Sequence, residues 1–110
     1  MLGVSGNLFD IGAINRREEQ FAPLVETQSL KIERIVSHGQ ASPPGFWFDE
    51  EFAEWVAVLA GSAVLRFADE ADVRVLAAGD HIFIPARRKH RVEWTDQAHA
   101  TIWLTVHFPA

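Results

Sequence analysis

The chain of 110 residues predicts an antiparallel all-β fold, a sandwich or a small barrel. Three observations carry that prediction. The second half consists of short runs rich in Val, Ile, Phe, Trp and Thr. Gly, Pro and Asp punctuate those runs at a spacing of roughly ten residues. No sustained helical period lies among them.

In chain order, residues 1–28 read as an N-terminal extension packing on the barrel or on a dimer partner, and 29–110 as the β domain. Within the extension, "NRREEQFAPLVE" (15–26) is the one stretch with helical character, and Pro23 would keep any helix short. Strands are expected over 30–37, 54–60, 63–67, 73–77, 81–85, 90–95 and 101–108. Gly61-Ser62 can supply the positive φ of a tight hairpin, "ADEAD" (68–72) is a polar loop, and Gly79-Asp80 is a third turn. "SPPG" (42–45) reads as a stiff loop inside the domain. In the strand 54–60, Val56, Val58 and Ala60 fall on one face and Trp55, Ala57 and Leu59 on the other. Both faces are apolar, so both need cover, which points to the N-terminal segment or a second subunit and hence to a homodimer.

Composition removes several functions. The chain has no cysteine, so disulfides, thiolate metal sites and cysteine nucleophiles are out, and a reducing, cytoplasmic address is expected. The N-terminus lacks the basic region and cleavage site of a signal peptide. The longest apolar run, 55–65, is broken by Gly61 and Ser62 and falls far short of the ~20 residues of a membrane span. A net charge of -5 argues against a nucleic-acid partner. No phosphate-binding glycine loop, nucleophile elbow or zinc-protease helix motif is present.

Histidine and carboxylate remain as carriers of chemistry, as metal ligands or as a general acid and base. His38 and His99 sit in polar, loop-like stretches and read as surface. For His81, which opens a strand, and His107, in the last strand, the ordinary reading is structural, with His107 half-buried and hydrogen-bonded. His90 stands apart. In "GDHIFIPARRKH" Gly79 is followed after five residues by Pro85, and His90 comes five positions on. In "EWVAVLAG" six residues separate Glu54 from Gly61. The chain thus resembles the cupin superfamily, whose second and first motifs have these spacings, over roughly residues 31–108.

That resemblance implies a double-sheet antiparallel barrel of the cupin jelly-roll type, often dimeric, with a ligand or metal pocket inside. It leaves the reaction open, because cupins serve many chemistries. Two departures matter. Where metal-binding cupins carry His-x-His, this chain has Trp47 and Asp49, and the late motif-two positions hold Arg87 and Trp94. Carried over residue by residue, the resemblance implies a divalent metal (iron, manganese, zinc or nickel) held by Asp49, Glu54 and His90. Trp47 and Trp94 would then help line a small-molecule pocket. Arg87 and Arg88 would hold a carboxylate or phosphate of the ligand, or else form a solvated turn paired with the acidic block 49–51. The leading expectation is an interior small-molecule site, with the metal optional. The alternative is a metal-free ligand-binding or interaction module without catalysis.

Overall fold

The computed structural model describes residues 5–109, and among them there is no helix. Eight strands form: β1 (Gln20–Glu26), β2 (Lys31–Ser37), β3 (Ala53–Ala60), β4 (Ser62–Phe67), β5 (Arg74–Ala77), β6 (His81–Ile84), β7 (His90–Thr95) and β8 (Thr101–Phe108). Each of the seven expected strands is present, with ends displaced by a residue or so. They assemble into a five-stranded sheet of order β1-β2-β8-β3-β6 and a three-stranded sheet of order β5-β4-β7, antiparallel throughout. Backbone ladders do not close the two sheets into a continuous barrel among the described residues. The expected barrel is therefore two facing sheets, with the isolated bridge Phe48↔His90 tying the segment before β3 to β7 of the smaller sheet.

The strand β1 corrects the helical reading of 15–26. Pro23 lacks an N–H and cannot serve a central strand, but β1 is the outermost strand and pairs only with β2. The register shifts between Pro23 and Val25, the irregularity an edge strand tolerates. Residues 20–26 of the expected extension are thus built into the sheet.

Alternation along the strands sorts side chains between the faces. Val56 and Val58 of β3 and Trp103 of β8 meet Ala63, Leu65 and Phe67 of β4, with Leu76 of β5 and Ile82 and Ile84 of β6 completing the cluster. Phe67 is fully buried there, and burying a side chain of this size contributes about 1.5–3 kcal/mol. On the opposite face of β2, the Arg34 guanidinium donates to the Asp10 carbonyl at 2.8 Å, so part of the N-terminal segment lies against the outside of the large sheet.

The β3–β4 hairpin depends on Gly61, whose φ is +77°. A Cβ there would lie 2.5 Å from Thr101 Oγ1 and 2.6 Å from the Ala100 carbonyl oxygen, so space and backbone conformation both demand glycine. No described helix is long and apolar enough to cross a membrane.

Candidate functional site

A cavity of about 280 Å³ opens between the two sheets at the end away from Gly61. Its apolar wall includes Ile35, Val56, Leu65, Ile84, Val92 and Trp103, and Phe21, Phe46 and Phe48 stand nearer its mouth. The polar lining includes Glu19, Glu33, Glu50 and Glu54 with His90 and His107.

Register explains how these groups meet. Glu54 of β3 lies directly opposite His107 of β8, and His107 lies opposite Lys31 of β2. The His107 Nε2 and the Glu54 carboxylate are in close hydrogen-bonded contact. That bond raises the His107 pKa above its ordinary value of 6.5. The negative charges of Glu54 and Glu33 add to the rise, against burial and the charge of Lys31. One step along, Glu33 lies opposite Thr105 and is 6% exposed, with one carboxylate oxygen 3.4 Å from Lys31 Nζ. Ser37 donates to Glu19 at 2.6 Å and accepts from the Trp103 indole N–H at 3.0 Å, which carries the hydrogen-bond chain into the apolar wall.

The remaining wall is residues 40–48, pinned to β7. Arg91 donates to the carbonyls of Ser42 at 3.0 Å and Pro43 at 3.2 Å, and Thr95 Oγ1 donates to the Gln40 carbonyl at 2.6 Å. Phe48 and His90 exchange backbone hydrogen bonds and their rings stack at 5.3 Å. His90 is 6% exposed, and its Nδ1 lies 2.9 Å from the Arg88 carbonyl oxygen.

Of the residues expected at the site, Glu54 and His90 line the cavity. Asp49 does not. Its carboxylate faces Arg87 at 3.6 Å on the rim, and Arg87 also reaches Glu51 at 3.9 Å. Arg88 is held by Asp69 at 3.2 Å and Glu70 at 2.8 Å, its guanidinium 3.9 Å above the Phe67 ring. Trp47 lies under the Arg91 guanidinium at 6.0 Å, and Trp94 is 41% exposed; neither lines the cavity. The expected substrate contacts at Trp47, Arg87, Arg88 and Trp94 are therefore dispersed around the outside. The basic block pairs with acidic neighbours instead, because long charged side chains on a rim find partners there more cheaply than inside.

Sequence reasoning did not single out Glu19, Glu33 or Glu50, and it gave His107 only a structural role. Glu33 did leave a signal, a charge at the alternating position shared by Ile35 and Ser37. The pairing of His107 with Glu54 left none, since it depends on β8 lying beside β3.

A cupin-domain family model matches residues 34–107, most of the chain and all but one of its strands. The chain belongs to the cupin family. This cupin is similar to a protein of Ralstonia eutropha JMP134 provisionally named a mannose-6-phosphate isomerase. The two share 47% identity over 98% of this chain and 100% of that one, with a TM-score of 0.95. A conserved Streptococcus pyogenes protein of unknown function is 22% identical over 100% of this chain and 90% of that one, with a TM-score of 0.76. A cupin superfamily protein of Desulfitobacterium hafniense DCB-2 is 15% identical over 89% and 84% of the two chains, with a TM-score of 0.73. At these identities the last two report the fold alone. A comparison with curated proteins finds no match.

The metal that the cupin family implies can be tested against the donors. Among the described residues no three of His, Asp and Glu converge as a metal-binding group. Asp49 is turned to Arg87, and the Glu54 carboxylate is engaged by His107. As arranged, this cupin's Asp49, Glu54 and His90 do not fit a shared ion.

Proposed function

We propose that this cupin binds a small organic molecule in the cavity between its sheets, with the Glu54–His107 pair as the group able to exchange a proton with it. The observation that carries the reading is the coincidence of that pair with an apolar cavity. At about 280 Å³ the cavity lies just below the roughly 300–1,000 Å³ usual for drug-sized ligands, so the guest is small. A carboxylate beside an imidazole whose pKa is raised by it is suited to holding or moving a proton near neutral pH. His90, fixed through its Nδ1, and Glu33 stand on neighbouring walls where they can orient the guest.

The provisional name of the Ralstonia protein raises sugar-phosphate isomerisation as a second reading. The proton-handling pair favours it. The lining opposes it, because among the described residues no arginine or lysine lines the cavity to meet a phosphate dianion.

Amide chemical-shift mapping with a small-fragment library tests the reading. Shifts should concentrate on the cavity-facing residues of β3, β7 and β8 and vanish in Val92→Phe, which adds volume to the wall. Shifts confined to the outer face, or unaffected by Val92→Phe, would sink it. Elemental analysis of protein purified without chelators or nickel resin separates the metal reading. Stoichiometric metal that disappears in His90→Ala would replace the proton-pair account with a metal-centred one.

A further inference from the structure

The polar atoms that the cavity leaves unspent are mostly hydrogen-bond acceptors, carboxylate oxygens and one histidine nitrogen. The Arg88 carbonyl can only accept, so the Nδ1 of His90 beside it carries the proton. In the neutral ring, Nε2 is then a lone pair on the opposite edge of a side chain that is 6% exposed and lines the cavity, with no hydrogen bond to the described protein residues. Three of the donors nearby are already used. The Trp103 N–H goes to Ser37, the Ser37 hydroxyl to Glu19, and the Thr105 hydroxyl to the Glu33 carbonyl at 3.3 Å.

Charge gives an independent argument in the same direction. Four carboxylates, Glu19, Glu33, Glu50 and Glu54, line one small cavity. Their counter-charges are Lys31, on Glu33, and the imidazolium form of His107, on Glu54. Excess negative charge confined between apolar walls is costly, and a guest that neutralises it is favoured.

We propose that the cavity selects a small organic cation, a protonated amine carried on an apolar body. The inference rests on the cavity being the binding site, as argued above, and adds the chemical class of its ligand. The ammonium would donate to His90 Nε2 and to the carboxylates, and the body would lie against Ile35, Phe48, Val56 and Trp103. A neutral polyol could supply hydrogens but would leave the charge unbalanced, and a phosphate ester would add to it.

Isothermal titration of three ligands sharing a phenyl body, phenethylammonium, phenethyl alcohol and phenylacetate, tests this near neutral pH. Phenethylammonium should bind about tenfold or more tightly than the alcohol, the scale of one charge-assisted hydrogen bond. Phenylacetate should bind more weakly than either. Glu33→Gln, with Glu54→Gln as the second variant should the first melt early, should remove most of the preference for the cation, read as the ratio of the amine's affinity to the alcohol's within the same variant. A ratio unchanged from the native protein would count against the charge argument. Equal binding of all three, or preference for phenylacetate, would overturn the cation class and leave the cavity as the site. Tight binding of manganese(II) without any amine binding would also overturn it. Absence of binding by all three probes, with no shifts at the lining amides, would overturn both.

Discussion

At the scale of single residues, the Glu54–His107 pair couples the site to stability. Its hydrogen bond holds the His107 pKa above 6.5, with Glu33 adding to the effect and Lys31 and burial opposing it. A histidine whose folded pKa is raised stabilises the fold fully below its unfolded pKa, and that contribution is lost as pH rises through the folded value. The melting temperature should therefore fall as pH climbs past about 6.5. His107→Gln should flatten that dependence and cost about 1.5–3 kcal/mol below it, the loss of a hydrogen bond to a charged partner. Melts across the neutral range check both, and a slope unchanged by the substitution would disprove the assignment. Glu70 has the opposite sign. The hydrogen bond from Arg74 lowers its pKa from 4.5 to about 2, so its contribution persists above 4.5 and fades only as pH falls toward that lowered value.

At the scale of elements, the segment 40–48 makes one cavity wall without belonging to a ladder of its own. It stays in place through Arg91, which donates to the Ser42 and Pro43 carbonyls, and through the Gln40 carbonyl bound by Thr95. Arg91→Ala should leave those carbonyls unpartnered and cost about 1.5–3 kcal/mol. Hydrogen exchange should quicken at the amide of Ser42, which bonds the Val92 carbonyl at 2.8 Å, and at that of Phe48, while β8 stays protected. Uniform quickening of both would mean that Arg91 supports the whole fold and not the wall. The strand β1 shows how local signals mislead at this scale. Pro23 argues against a central strand, and only its position at the sheet edge makes a strand acceptable.

At the scale of the molecule, several large apolar side chains stay open to solvent, among them Phe9, Ile14, Leu24, Val25 and Phe83. We expect a second copy of the chain to cover part of this surface, the homodimer that two apolar strand faces suggest. Light scattering should give twice the 12.3 kDa chain mass, and a monomer at every concentration would end that expectation. The seven strands β2 to β8, the Gly61 turn and the family were legible in the sequence, because alternation, turn chemistry and motif spacing are local properties of the chain. Glu54 and His90 were legible as cavity residues for the same reason, through their motifs. Pairing across sequence was not. His107 meets Glu54 across 53 residues because β8 inserts between β2 and β3. Asp49 leaves the expected ligand set because Arg87, 38 positions away, stands beside it on the rim. The sequence by itself determined where the strands β2 to β8 and their turns lie, and through its motifs that Glu54 and His90 belong near one another. Which side chains share a proton, and which turn aside to a rim partner, only the tertiary structure decided, since a hydrogen bond requires contact and contact between distant strands is set by sheet order.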